Sequence, residues 1–220
     1  LAVSVGGELE KAARRHDVPW VCIPPKAPGF QPRFALYFML GTLYHVLVGQ
    51  GLLNAVEDLP SLSSWLKGLD LEEQGRELAK WLGPAFPVIY SPPAFETGVA
   101  RTWRIKFNEN SKLPAIAGAL PEANHNEMIA FTPQFAEHFS FLLLTCPGEH
   151  PRIVRRFQLL QELLAESGYA VREVPLTGEN VLRKALSSLL LADWVSYYAA
   201  VERRTDPIAI PAIQNFKKDL

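Results

Sequence analysis

Residues 139–145 (FSFLLLT) decide the fold, because they carry apolar side chains on both faces of an extended chain. That composition is typical of a central strand in a parallel sheet, which is covered by helices on both sides. An amphipathic helical pattern follows over residues 151–167 and ends at Gly168, and residues 169–174 then alternate as a strand does. Strand, helix and strand in this order predict a parallel α/β unit.

The same alternation extends to both sides of this unit. Residues 86–90 (FPVIY) read as a short buried strand, and apolar side chains recur at helical spacing from Phe95 to Phe107. A long helical pattern covers residues 178–203, and a short one covers residues 210–218. These elements predict an α/β protein with doubly wound parallel sheets and flanking helices.

The N-terminal part predicts a second, smaller unit of the same kind. Residues 2–5 and 19–23 read as strands on either side of a short helical pattern, and residues 33–48 read as a long helix. Residues 54–83 are amphipathic and end at the breaker Gly83-Pro84, so they predict a connection. We therefore expect residues 1–83 to hold the C-terminal part of a first subdomain with connecting helices, and residues 84–220 to form the second subdomain.

Composition excludes several classes of function. The 22 Lys and Arg residues against 23 Asp and Glu residues give a net charge of −1, which does not suit a nucleic-acid partner. The sequence contains no run of about 18 apolar residues, so it predicts no membrane-spanning helix. Two cysteines, Cys22 and Cys146, fit a reducing, cytoplasmic compartment rather than a disulfide scaffold or a thiolate metal site. Since GxGxxG, GxxxxGK[ST], HExxH and CxxC motifs are lacking, we expect neither a cofactor nor a metal.

Polar residues concentrate in one stretch, residues 108–127 (NENSKLPAIAGALPEANHNE). Glu109 belongs to the first polar group of this stretch, and His125 belongs to the second. Carboxylates beside apolar segments can be partly desolvated, which raises their pKa toward the range of a general base. Asn and Glu also serve as helix caps and turn residues, so composition alone leaves both interpretations open.

This stretch resembles the signature of the bifunctional phosphoglucose/phosphomannose isomerases of the sugar isomerase (SIS) superfamily, NENAKxPA…PExNHNE. Two further segments are similar to that family. They are Gln31-Pro32-Arg33, and residues 192–198 (ADWVSYY) followed by Asp206-Pro207 and Phe216-Lys217-Lys218. The resemblance therefore covers nearly the whole chain, and it implies two SIS-type subdomains with a flavodoxin-like, three-layer architecture.

The resemblance also implies an activity and roles for single residues. It implies an aldose–ketose isomerase that acts on glucose 6-phosphate and mannose 6-phosphate through a cis-enediol, without a metal. Glu109 would be the base, and His125 would open the sugar ring. Arg33 would stabilise the enediolate oxygen, and Lys217 would assist at the ring oxygen. In SIS isomerases the histidine often comes from a neighbouring subunit, which implies a homodimer.

The chain departs from the family pattern at two places. It lacks the Ser/Thr-rich phosphate turn (SxSGNT-like), and residues 1–10 resemble the segment after that turn, so we expect about a third of a full-length enzyme to precede Leu1. Ser4 would be the remnant on the phosphate side, with Lys218 as an alternative to Lys217. Residues 208–211 (IAIP) replace the usual sequence after the Asp-Pro pair, which leaves the preference between glucose and mannose open.

Two other classes of function remain open. One is a non-catalytic SIS module that binds a sugar phosphate, and the other is an inactive or interaction fragment without the phosphate loop.

Overall fold

The computed structural model describes residues 1–23 and 30–218, and the chain divides into two compact units. Leu1–Ser64 form the first unit and Trp65–Leu220 form the second, so the division falls inside helix α3 (Leu59–Lys67). This division precedes the boundary predicted between residues 83 and 84. The reason is that helix α4 (Glu72–Leu82) packs along helix α8 (Val181–Glu202), which belongs to the second unit.

The first unit contains the predicted strand, helix and strand. Strand β1 (Ala2–Ser4) pairs in parallel with strand β2 (Trp20–Cys22), and helix α1 (Glu8–Arg15) connects them. Helix α1 has acidic residues in its first turn and basic residues in its last turn, as the helix dipole favours. The long helix predicted over residues 33–48 consists of a 3₁₀ turn, Pro32–Ala35, followed by helix α2 (Leu36–Gly49).

The second unit is built on a parallel sheet. Its strands in the described part of the chain are β3 (Phe86–Ser91), β4 (Ile116–Ala119), β5 (Phe139–Thr145) and β6 (Ala170–Pro175), in the spatial order β4-β3-β5-β6. Helices α5 (Arg101–Lys106), α6 (Glu122–Asn126), α7 (Pro151–Glu166) and α9 (Pro211–Lys218) complete the unit with α4 and α8. All strand pairs are parallel, which confirms the predicted doubly wound sheet.

Helices cover both faces of this sheet. On one face, apolar side chains of β3 and β5 pack with α6 and α7 in a buried cluster that includes Val88, Tyr90, Phe141, Ala123 and Leu160. Parallel crossovers are right-handed, and the chain moves in opposite directions along the sheet from β3 to β4 and from β5 to β6. Helix α5 therefore lies on the face opposite α7, together with α8, against which it packs. The second unit is thus a three-layer α/β/α sandwich.

No helix within residues 1–23 and 30–218 has the length and apolar character needed to cross a membrane.

The crossing of α4 and α8 depends on a glycine. A Cβ at Gly75 would stand 2.3 Å from the Cβ of Trp194 and 3.1 Å from the Trp194 carbonyl carbon. We expect Gly75→Ala to lower the free energy of unfolding by about 2 kcal/mol in urea denaturation, because the clash outweighs the gain in helix propensity of about 1 kcal/mol. Gly98→Ala is the matched control, since a Cβ there meets nothing within 4 Å. Equal stability of the two variants would contradict the close crossing.

Candidate active site

Glu109 lies at the end of a long run of helical turns that precedes strand β4. The run starts with a 3₁₀ turn at Pro93–Phe95 and includes π-helical turns at Glu96–Ala100 and Phe107–Ser111 on either side of α5. The sequence predicts a single helix over residues 95–107. The structure differs from this prediction, because π-helical turns flank the α-helical segment α5 on both sides. Turns of π-helix are frequent at functional sites. The second one carries Glu109, whose side chain is half-buried.

Buried polar contacts fix the Glu109 turn against helix α8. The Asn110 amide donates to the Ser196 hydroxyl at 2.9 Å, and the Ser111 hydroxyl donates to the Ser196 carbonyl at 2.8 Å. One turn earlier, the ammonium of Lys106 pairs with the carboxylate of Asp193. A buried group of this kind is costly to leave unpaired, so these contacts hold the turn in one place. Sequence reasoning assigned no role to Asp193 or Ser196, although both lie in the ADWVSYY segment that carried the resemblance.

A cavity of about 490 Å³ opens beside the Glu109 turn, a size within the range of small-molecule sites. One wall is formed by Asn108, Glu109 and Lys112, and the other by residues of the segment between α8 and α9, together with the start of α9: Thr205, Asp206, Ala209, Ile210, Pro211, Ala212 and Ile213. Glu109 is therefore a half-buried carboxylate at the edge of a cavity with largely apolar surroundings. A molecule bound in this cavity would lie within reach of the Glu109 carboxylate.

The side chain of Lys112 joins the two walls of this cavity. The ammonium of Lys112 donates to the carbonyl oxygens of Glu109 at 2.9 Å, Asn110 at 3.3 Å and Asp206 at 2.6 Å. The backbone of Lys112 is left-handed, with φ 53° and ψ 33°, and this conformation ends the π turn.

His125 lies on the other side of the sheet. It is exposed on α6, which is anchored by the buried Ala123 in the cluster shared with α7. The Tyr90 hydroxyl donates to the Glu127 carboxylate at 2.7 Å and ties the end of α6 to strand β3. Burial, with this hydrogen bond, raises the pKa of Tyr90 well above its usual range, so the phenol stays a donor. A single copy of the second unit thus carries Glu109 and His125 on helices of opposite faces.

Glu122 lies on the exposed surface of α6. Its carboxylate accepts a hydrogen bond from the Asn126 amide at 2.8 Å, within the same helix. This is an i, i+4 contact between neighbouring turns of one helix, which indicates a structural role for Glu122.

Two of the predicted site residues belong to the first unit. Ser4 ends strand β1, and its hydroxyl accepts hydrogen bonds from the Trp20 indole at 2.9 Å and from the Gly6 backbone at 3.2 Å. It stands at the carboxyl end of a parallel strand, where open α/β sheets bind ligands. Arg33 lies in the 3₁₀ turn before α2, half-buried, with its guanidinium 4.7 Å from the centre of the Phe34 ring.

The predicted lysines belong to the second unit. Lys217 and Lys218 are both exposed in the last turn of α9. The ammonium of Lys218 reaches the Asn215 side-chain oxygen at 3.5 Å. Both ammonium groups lie at a helix C-terminus, a position that the helix dipole makes favourable for cations.

Across the described residues, 1–23 and 30–218, no group of three or more His, Cys, Asp or Glu side chains is arranged to hold a metal ion.

Solved structures show which class this fold belongs to. The crystal structure of a glucosamine-6-phosphate deaminase from Thermotoga maritima superimposes with a TM-score of 0.63 and covers 95% of this chain and 63% of that one. At 14% sequence identity, this similarity concerns the fold alone. The shared architecture therefore defines the class as an α/β protein with a parallel sheet between two layers of helices.

Sequence comparison narrows this class to one family. The model of the bacterial phospho-glucose isomerase C-terminal SIS domain matches residues 71–220, which include Glu109, His125 and Lys217. The chain belongs to this family, as the resemblance predicted.

Curated relatives extend the similarity to the whole chain. The bifunctional phosphoglucose/phosphomannose isomerase of Aquifex aeolicus is 30% identical over 223 residues, and the alignment covers all of this chain and 67% of the relative. The enzyme of the same name from Caldicellulosiruptor bescii is 27% identical over 236 residues, with 68% of its length covered. The chain thus spans about two thirds of the length of these relatives, which are named as isomerases.

Proposed function

We propose that this chain provides the catalytic residues of an aldose–ketose isomerase that interconverts glucose 6-phosphate and mannose 6-phosphate with fructose 6-phosphate. The observation that carries the proposal is the position of Glu109, a half-buried carboxylate at a cavity of about 490 Å³, within the segment that matches the C-terminal SIS domain. The names of the Aquifex and Caldicellulosiruptor relatives support the choice of substrates.

Glu109 is the base in this proposal. Its carboxylate takes the C2 proton of the open-chain aldose, the electrons of that bond form a C1–C2 double bond, and the electrons of the C1 carbonyl move to O1, which gives the enediolate. A proton moves from O2 to O1, C2 becomes the carbonyl carbon, and the carboxyl group returns its proton to C1. Glucose and mannose differ in configuration at C2, so both sugars give the same enediol. One base therefore serves both substrates.

Four other residues have proposed roles around this step. His125 opens the sugar ring by proton transfer between the ring oxygen and O1, for which an imidazole suits the pH. Arg33 stabilises the negative charge on the enediolate oxygen, and Lys217 assists at the ring oxygen. Ser4 contacts the substrate on its phosphate side, and Lys218 takes the place of Lys217 if its ammonium is the one that reaches the sugar.

We propose a homodimer in which His125 completes the site of the partner subunit. Glu109 and His125 lie on helices that cover opposite faces of one sheet, so a second copy is the simplest source of an imidazole beside each Glu109. A reducing, cytoplasmic location also belongs to this proposal, and the free thiols of Cys22 and Cys146 support it.

A coupled assay tests the activity directly. The chain is incubated with glucose 6-phosphate and then with mannose 6-phosphate, and the appearance of fructose 6-phosphate is followed. We expect turnover of both sugars, and an unchanged rate after treatment with a chelator. If neither sugar is turned over, the proposed activity of this chain is wrong. Calorimetric binding of the sugar phosphates would then identify a non-catalytic binding module, and lack of binding an inactive fragment.

A further inference from the structure

Lys112 connects two parts of the second unit that are far apart in the sequence. Its ammonium donates to three carbonyl oxygens, two in the Glu109 turn and one at Asp206. The contact to Asp206, at 2.6 Å, joins positions 94 residues apart. The two parts that Lys112 joins are the opposite walls of the cavity beside Glu109.

Each of these contacts is favourable for a physical reason. The carbonyls of Glu109 and Asn110 lie at the end of a run of helical turns, where the negative end of the helix dipole attracts a cation. The Asp206 carbonyl belongs to the segment between α8 and α9, where the Asp206 carboxylate also accepts from the Ile208 amide at 2.7 Å. Charge-assisted hydrogen bonds are the stronger kind, so the ammonium can hold this segment in place.

We infer that Lys112 is a positioning residue, whose ammonium holds residues 205–213 against the Glu109 turn and thereby closes the cavity in which Glu109 acts. The inference rests on the proposed function only for the role of the cavity. The side chain of Lys112 is exposed and its role is to bind backbone carbonyls, so it acts on the reaction through the walls that it joins.

A competing explanation is that the ammonium contacts only hold the backbone of Lys112 itself in its left-handed conformation. A second variant can separate this explanation from the inference. The left-handed backbone of Lys112 is a conformation that glycine adopts without strain. Lys112→Met removes the ammonium and keeps a side chain with a Cβ, whereas Lys112→Gly removes the ammonium and relieves the backbone. Lys80→Met is the matched control, because Lys80 is an exposed lysine in the last turn of α4.

Amide hydrogen exchange of the full chain, read by peptide mass spectrometry, tests the inference without depending on activity. We expect exchange in residues 205–213 and 109–112 to become about tenfold faster in both Lys112 variants, with β5 and the Lys80→Met control unchanged. Unchanged exchange in both Lys112 variants would overturn the inference. So would acceleration in Lys112→Met alone, which would assign the effect to the backbone, or equal acceleration in β5, which would make it global.

Kinetics then separate this role from the proposed function itself. If the chain isomerises, we expect both Lys112 variants to lower kcat with a smaller change in KM, because an opened cavity leaves Glu109 less well placed against C2. Normal kcat in variants with fast exchange at residues 205–213 would overturn the link to catalysis and leave the activity assignment intact. An inactive chain with the expected exchange pattern would contradict the proposed function alone.

Discussion

Replacement of Glu109 by glutamine is expected to abolish isomerisation and to leave the fold unchanged. Glutamine has the shape of glutamate, but its amide cannot take the C2 proton at neutral pH. Loss of a general base lowers the rate by about 10²–10⁴-fold, so turnover in the coupled assay should fall to the limit of detection. The side chain is half-buried at the edge of a cavity, and thermal unfolding should therefore change little.

Glu122→Gln is the matched control for this prediction. Glu122 undergoes the same chemical change, is exposed on α6, and contacts the Asn126 amide. We expect this variant to retain normal turnover. Substantial activity in Glu109→Gln, or equal loss in both variants, would show that Glu109 is not the base.

The sequence predicted the elements of the second unit whose patterns are strong. Strand β5 is apolar on both faces, and its burial at the centre of the sheet follows directly from that composition. Strand β4 was not predicted, because it is only four residues long and three of them (Ala117, Gly118 and Ala119) have low strand propensity. It forms because β3 offers it backbone partners, from Val88 opposite Ile116 to Ser91 opposite Ala119. Pairing of this kind is a tertiary effect that local sequence does not record.

The candidate site was predictable in its residue types and not in its arrangement. The pattern around Glu109 and His125 singled out both residues, but their placement on opposite faces depends on the strand order β4-β3-β5-β6. The contacts of Ser196 with Asn110 and Ser111 bridge more than 80 positions of sequence. Lys112 could have been noticed as a lysine just after the Glu109 turn, where cations favour the helix end.

Hybrid dimers should show whether His125 acts across subunits. Glu109→Gln and His125→Ala subunits, each inactive alone, are coexpressed with different affinity tags, and the hybrid is purified through both tags. If each site takes Glu109 from one subunit and His125 from the other, one site of the hybrid holds both mutations and the second holds none. We therefore expect about half of the wild-type turnover from a dimer that contains two defective chains.

The prediction follows from the geometry of a single copy. Helix α6, with His125, packs through Ala123 on the face that α7 covers, whereas the Glu109 turn is fixed to α8 on the other face. Within one copy of the second unit, the sheet therefore separates the helix that carries His125 from the turn that carries Glu109. A hybrid in which Glu109→Gln and His125→Ala lie on the same chain, paired with a wild-type chain, provides the control. In the trans arrangement each of its sites has one defect, so it should be inactive. If that control retains half activity while the first hybrid is inactive, both residues act within one subunit and the proposed dimeric site is wrong.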